Sequence, residues 1–236
     1  MKEFQAEVAN LTGIHLSTEQ IAAFLHYEEE LSAWNKKFNL TTLVTPQEIR
    51  VKHFLDSLSC LQVINKCNSF KLIDVGTGAG FPSIPIKIIL PKIKLTLIES
   101  IQKKANFCHH IVKELNLQEV EILNARAENI GQDRHYREQF DWAVARAVAS
   151  LPTLVEYLLP LVKKGGKALA QKGKNANKEL QIARNAIQIL GGELGEIRKV
   201  DIPSIKETRF LVVIKKVSSC PLKYPRRAGV PAKKPL

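Results

Sequence analysis

Residues 71–82, KLIDVGTGAGFP, decide the fold. An apolar run ends in Asp74, glycines follow at 76, 78 and 80, and Phe81 and Pro82 lead into an apolar stretch with helical spacing. Strand, glycine turn and helix open a parallel α/β sheet, because glycine is required where backbone turns tightly and a ligand approaches with no Cβ between. The spacing is GxGxG. A dinucleotide site uses GxGxxG, and here Phe81 occupies the place of the third glycine, which argues against a pyrophosphate on the helix N-terminus. A glycine turn can also serve only to join strand to helix, so its neighbours must decide.

Downstream, apolar strand patterns fall at 71–75, 94–99, 120–124, 140–145, 166–171, 192–200 and 208–217, and helical stripes at 82–90, 101–116, 150–162 and 175–190 fill four of the five connections among the first six. This alternation predicts a seven-stranded, mostly parallel sheet with helices on both faces. The last two strands are joined only by the loop at Pro203, so one of them is expected to pair antiparallel at an edge. Upstream the chain reads as helices. Ser17 and Gln20 form a capping box ahead of an apolar stripe from Ile21 to Phe38, and Thr45, Pro46 and Glu48 repeat the start signal. The expected organisation is a helical subdomain at 1–68, a catalytic domain at 69–218, and an extended, basic, proline-rich tail at 219–236.

Charge rises along the chain. Net charge is −2 over residues 1–70, +6 over 71–207 and +8 over 208–236, which suggests a polyanionic partner met by the second domain and the tail, although a basic surface also serves solubility alone. No run of about 20 apolar residues is present to span a bilayer, and the start MKEFQAEVAN lacks the pattern of an export signal. Cys60, Cys67, Cys108 and Cys220 have neither zinc nor redox spacing. A cytoplasmic protein with reduced thiols, no metal and no membrane association is expected, and a monomer.

Several residues gather at the carboxyl ends of the strands, where ligands bind in open α/β sheets. Glu99, 23 residues after Gly76, ends the second strand at a position suited to accept hydrogen bonds from two ribose hydroxyls. After the third strand come Arg126, Ala127 and Glu128, beside which an adenine would lie, although a charged loop explains these residues nearly as well. The fourth strand ends in Arg146, whose position favours a role with cofactor, phosphate or base over a surface ion pair.

Taken together, DVGTGAGFPSIPIKI, the RAE after the third strand, ARAVASL after the fourth, ALAQKG after the fifth, and the N-terminal WNKKFNLT and HFLDSL resemble the bacterial 16S rRNA methyltransferase G family, also called glucose-inhibited division protein B. The resemblance runs from about Trp34 to the tail. It implies a class I, Rossmann-like fold that transfers methyl from S-adenosylmethionine to N7 of guanine 527 in 16S rRNA near the decoding centre. It also implies a cofactor held by Gly76, Phe81, Ala127, Glu128 and Arg146, with Asp74, Gly78, Gly80 and Glu99 completing the pocket. His53 and Asn39 lie in family motifs, where a capping or core role is as good a reading.

Guanine N7 carries an in-plane lone pair and no proton, so positioning rather than base catalysis is expected, with Arg146 as the positioning residue. The chain lacks the Asn/Asp-Pro-Pro-aromatic motif of exocyclic-amine methyltransferases and the Pro-Cys of the cytosine C5 type. Contacts to 16S rRNA, naked or in the 30S subunit, are expected from Arg126, Lys163, Lys164, Lys172, Lys174, Arg209, Arg226 and Arg227. Two other readings stay open. One is a nicotinamide-dependent oxidoreductase, which the missing third glycine disfavours; the other is a non-catalytic or differently specific RNA-binding assembly factor on the same fold.

Overall fold

The computed structural model describes residues 1–64, 69–202 and 205–236. Cys67, the expected boundary after residue 68 and Pro203 lie outside those residues. Helix α1 (Lys2–Thr12) is an addition to the sequence reading: Phe4, Val8 and Thr12 form its buried stripe, and Gly13 ends it in the left-handed region at φ 71°. Helix α2 (Thr18–Phe38) starts at the expected capping box, with Ser17 Oγ accepting from Gln20 N–H and the Gln20 side chain accepting from Ser17 N–H. It stops at Asn39, also left-handed, at φ 48°. A second capping box, Thr45 with Glu48, opens a helical run: α3 (Pro46–Glu48), a π segment (Ile49–Leu55), α4 (Asp56–Leu58) and a 3-10 turn (Ser59–Gln62).

The sheet follows the predicted rhythm. Its strands are β1 (Lys71–Val75), β2 (Lys94–Ile98), β3 (Val120–Leu123), β4 (Phe140–Arg146), β5 (Val162–Lys172), β6 (Gly192–Val200) and β7 (Arg209–Lys216). They are interleaved with α5 (Ser83–Ile89), α6 (Gln102–Glu114), the short α7 (Ala127–Gln132), α8 (Leu151–Leu158) and α9 (Ala176–Ile189). Strand order is β3-β2-β1-β4-β5-β7-β6, and β7 pairs antiparallel with both neighbours. The antiparallel strand is therefore inserted between β5 and β6, and the edge goes to β6. Chain order reverses between β1 and β4, which opens a crevice at their carboxyl ends.

One apolar cluster joins the N-terminal helices to the sheet: the rings of Phe4, Phe24 and Phe54 sit 5.1–6.2 Å apart and share a core with Ile84, Leu95, Val144 and Leu211. Each fully buried ring contributes about 2–3 kcal/mol, so these helices form a layer on the sheet's face.

The opposite face is covered by α7, α8, α9 and the C-terminal segment, which is folded and not extended. Every residue of α8 is buried, Glu156 included, so the helix needs cover on all sides. The tail supplies it. Cys220 and Tyr224 are buried, and the Arg137 guanidinium donates to the carbonyls of Tyr224, Cys220, Pro221 and Gly131. Arg226 forms a two-pronged pair with the Glu156 carboxylate at 2.6–3.2 Å, and helix α10 (Val230–Lys233) ends the fold.

Removing one partner of a buried pair strands the other, and Arg226 is a quarter exposed, so Arg226→Ala should cost about 3 kcal/mol, the low end for such pairs. Urea denaturation would show this as a lower midpoint with an unchanged slope. A midpoint within error of wild type would mean that the tail is not held by this pair.

Candidate functional site

The three glycines of the turn meet three different demands. Gly76, Gly78 and Gly80 all have positive φ, at 68°, 62° and 95°. A Cβ on Gly80 would sit 2.5 Å from both Tyr27 Oη and Ile84 Cδ1, so that glycine is needed for the turn to pack on α2 and α5. A Cβ on Gly76 would lie 2.7 Å from Val148 Cγ2. A Cβ on Gly78 meets nothing within 4 Å, so Gly78 turns its backbone toward open space. Asp74 lies beneath the turn, fully buried, where its Oδ2 accepts from Thr77 Oγ1 at 2.9 Å and Ser83 N–H at 3.2 Å. It shapes the loop and lines neither adjoining cavity, and burial raises its carboxyl to about 7.

Glu99 is drawn to the turn by backbone. Its two oxygens accept from Gly78 N–H and Ile101 N–H, each at 2.8 Å, which fixes the carboxylate beside the open glycine. Glu99 is buried and, like Asp74, lines neither cavity, although each of its oxygens keeps a second lone pair.

Two cavities flank the turn. The larger, about 680 Å³, opens over Gly76, Gly78 and Phe81 and is closed on its far side by the N-terminal helices. At its floor Asp56, on α4, takes Arg146 Nη1 on one oxygen at 2.8 Å and Arg209 Nε on the other at 3.2 Å, while Gln171 Nε2 donates to its carbonyl at 2.7 Å. The second nitrogen of Arg146, Nη2, lies 3.2 Å from His53 Nδ1. The His53 ring stacks on Phe81 at 4.3 Å and 8°, and the Arg146 guanidinium lies 5.2 Å from the same ring. Burial first, then the Arg146 charge, push the His53 imidazole down to about 3. It is neutral at every working pH.

The smaller cavity, about 80 Å³, lies between Gly76, Val148, Arg126, Ala127, Glu128 and Tyr157. Ala127 and Glu128 begin α7 rather than a loop. Glu128 is buried and accepts from Gly229 N–H at 2.9 Å, so this pocket's wall is braced by the C-terminal segment.

The residues expected to meet RNA divide into three groups. Arg126, Lys172, Lys174 and Arg209 sit at the carboxyl edge with the cavities, as Arg146 does, and Lys172 pairs with Glu179 at 2.7 Å. β5 begins at Val162, so Lys163 and Lys164 lie at its far end, about 20 Å from Lys172 along the neighbouring β4, and Lys163 pairs with Asp141. Arg226 is taken by Glu156, while Arg227 is exposed on the tail. Sequence reading missed Lys52 and Lys104 at the cavity mouth: Lys52 lies in the net-acidic N-terminal segment, which hides its lysines in a sum, and Lys104 reads only as part of the polar face of α6. It also missed Asp56 and Thr41, although both lie in the motifs HFLDSL and WNKKFNLT. Asn39 caps α2 and stays exposed. Among the described residues no helix is long and apolar enough to cross a membrane, and no cluster of His, Cys, Asp and Glu suits a metal.

Residues 20–209 match the family described as rRNA small subunit methyltransferase G. The chain belongs to this family. Its relatives include the ribosomal RNA small subunit methyltransferase G of Alkaliphilus metalliredigens, 47% identical over 95% of this chain and 94% of that one. The protein of the same name from Roseiflexus castenholzii is 48% identical over 97% of each. Among solved structures, a SAM-dependent methyltransferase from Aquifex aeolicus covers 75% of this chain and 96% of its own at TM-score 0.54 and 17% identity. The geranyl diphosphate C-methyltransferase of Streptomyces coelicolor, solved with S-adenosyl-L-homocysteine, covers 81% and 98% at 0.54 and 12%. At such identities the likeness is one of fold: a class I, Rossmann-like methyltransferase sheet carrying the family's N-terminal helices.

The two glycines should separate in a mutation test. Gly80→Ala puts a methyl 2.5 Å from Tyr27 and Ile84 at positive φ and should cost about 3 kcal/mol or more of stability. Gly78→Ala adds only the local strain of about 1–2 kcal/mol, yet should lower S-adenosylmethionine affinity at least tenfold in calorimetry. Equal affinity in Gly78→Ala and wild type would remove the turn from the binding site.

The His53 shift also has a sign. Unfolded chains take up a proton below 6.5, whereas the folded protein holds this ring neutral down to about 3, so its contribution is complete above 6.5 and is lost as pH falls. His53→Gln should therefore gain on wild type by up to about 1.4 kcal/mol per pH unit below 6.5. Denaturation at pH 7 and pH 5 would check this, and a constant difference between the proteins would count against a buried neutral ring.

Proposed function

We propose that this chain transfers a methyl group from S-adenosylmethionine to small-subunit ribosomal RNA, and that the acceptor is N7 of guanine 527 in 16S rRNA. The observation that carries the reading is the open glycine turn at Gly78, held against the Glu99 carboxylate and facing a cavity large enough for a base beside a cofactor. Family membership supports the substrate class, since the curated relatives bear the name ribosomal RNA small subunit methyltransferase G.

Bound at this turn, S-adenosylmethionine supplies a methyl carbon activated by its sulfonium. Gly78 would let the ligand approach, Glu99 would offer lone pairs to ribose hydroxyls, and the adenine ring would lie beside Ala127 at the small pocket. The base enters the larger cavity. Its N7 lone pair lies in the ring plane and has no proton to lose, so the chain's task is to hold nitrogen and methyl in line. Arg146 does this as a fixed post, because Asp56 and His53 immobilise it before substrate arrives. His53 is a poor base, held neutral with Nδ1 facing a guanidinium. Arg126 and Lys174 would meet phosphates at the rim, on naked 16S rRNA or on the 30S subunit, while Arg209 is committed to Asp56. The protein would act as a cytoplasmic monomer.

Single-turnover transfer of a tritiated methyl should be independent of pH between about 6.5 and 8.5, in wild type and in His53→Gln alike. Strand scission after reduction and aniline treatment would locate the product at guanine N7. Arg146→Lys should slow transfer by about 100-fold, since an ammonium keeps the charge without the planar fork that spans Asp56 and His53. A rate rising log-linearly with pH, and losing that rise when one histidine is replaced, would show that a general base is required and that the acceptor is not N7.

A further inference from the structure

After α2 the chain turns at Asn39 and runs along the rim of the large cavity as LTTLV, residues 40–44. Thr41 is half-buried there, with its backbone N–H held by the Asn35 side chain at 2.9 Å. Its hydroxyl oxygen accepts from Leu43 N–H at 3.2 Å and lies 2.9 Å from His53 Nε2. Which of these two partners holds the proton follows from Arg146. A guanidinium has donors and no acceptor, so His53 Nδ1, 3.2 Å from Arg146 Nη2, must accept. A neutral imidazole that accepts at Nδ1 carries its proton at Nε2, and that N–H donates to Thr41.

Both lone pairs of the Thr41 oxygen are thereby used. Its own proton has no acceptor among the described residues, and the side chain lines the cavity. The hydroxyl, ordinarily donor and acceptor at will, is reduced to a donor alone. The ring that enforces this is clamped on Phe81 of the glycine turn, so the donor is fixed relative to the cofactor site. Other polar groups at the cavity floor already have protein partners: Arg146 on Asp56 and His53, and Lys172 on Glu179 and the Ala149 carbonyl.

We propose that Thr41 determines base specificity: its hydroxyl donates to O6 of the target purine, accepting guanine and turning adenine away. This rests on the guanine-N7 reading. On the edge that carries N7, guanine adds the O6 acceptor and adenine adds the N6 amine, a donor. A hydroxyl able to accept would tolerate both bases. One with both lone pairs occupied meets the adenine amine donor to donor, and leaves two desolvated N–H or O–H groups unpaired. Sites built around such a hydrogen bond discriminate far more sharply than shape alone.

The test is a double-mutant cycle between protein and base. 16S rRNA assembled by ligation, with guanine or 2-aminopurine at the target position, is presented alone and in reconstituted 30S particles to wild type, Thr41→Val and Thr41→Ser. Single-turnover methyl transfer is then read at saturating S-adenosylmethionine. 2-Aminopurine lacks O6, and its altered N7 reactivity cancels between enzymes. Wild type and Thr41→Ser should prefer guanine by about 30-fold or more, and in Thr41→Val the preference should shrink to about threefold or less, with cofactor affinity unchanged. The proposal is overturned if wild type shows no preference, or if Thr41→Val slows both substrates equally. It is also overturned if that variant loses S-adenosylmethionine affinity while keeping the guanine preference, which would assign the hydroxyl to the cofactor. A wild type that places no methyl on guanine N7 removes the parent reading, and this one with it.

Discussion

The Asp56 carboxylate is the point on which the site depends. It is almost inaccessible to water and holds two arginines, one from the end of β4 and one from the start of β7, while its backbone carbonyl takes Gln171 from β5. Three strands and the N-terminal helical run are thus tied at one residue, at the carboxyl edge where the sheet opens. Burying one carboxylate against two guanidiniums repays its desolvation only because each oxygen has its own donor; losing either arginine would leave an uncompensated demand of several kcal/mol. The same tie sets the chemistry. Arg146 is directed at Asp56 and His53 rather than at solvent, so its position is settled by the fold before any ligand binds.

From Asp56 the order spreads along a short chain of contacts. Arg146 fixes the His53 tautomer, His53 stacks on Phe81, and Phe81 stands in the glycine turn, itself pinned by Glu99 from β2 and by Asp74 from below. Helices from the N-terminal layer thereby enter the glycine turn's own geometry. Tyr27 of α2 makes the same point, stacking on Phe81 and giving its hydroxyl to the Ala79 carbonyl. Changes in α2 or the helical run should therefore be felt at the turn even though no part of either touches it in sequence.

The sequence is most legible where the physics is local. Strand positions agree to within one or two residues, except that β5 starts at Val162, and both capping boxes form as read, because period and capping depend on neighbours a few residues away. The glycine turn was recognisable, but only packing shows that Gly80 is needed by Tyr27 while Gly78 faces a cavity. Helix α1 was within reach, since Phe4, Val8 and Thr12 recur every four residues ahead of Gly13. What failed depended on distant partners: nothing near Arg226 in the chain points to Glu156, and proline-rich composition alone suggested an extended arm. Lys163 and Lys164 are near Lys172 in sequence, but a strand carries its two ends to opposite sides of the protein.

The inward position of β7 bears on how the chain reaches this state. β5 and β6 precede it in sequence but never pair with each other; each waits for β7 to come between them. Until Arg209–Lys216 has been synthesised and threaded into place, β5 offers one open row of backbone donors and acceptors next to an apolar face, the arrangement that recruits strands from other molecules. Contacts spanning 153 residues, from Asp56 to Arg209, can close only at that moment. Sheet completion and assembly of the cavity floor are consequently a single late event, so a nascent or truncated chain ending before β7 is at once inactive and prone to aggregate.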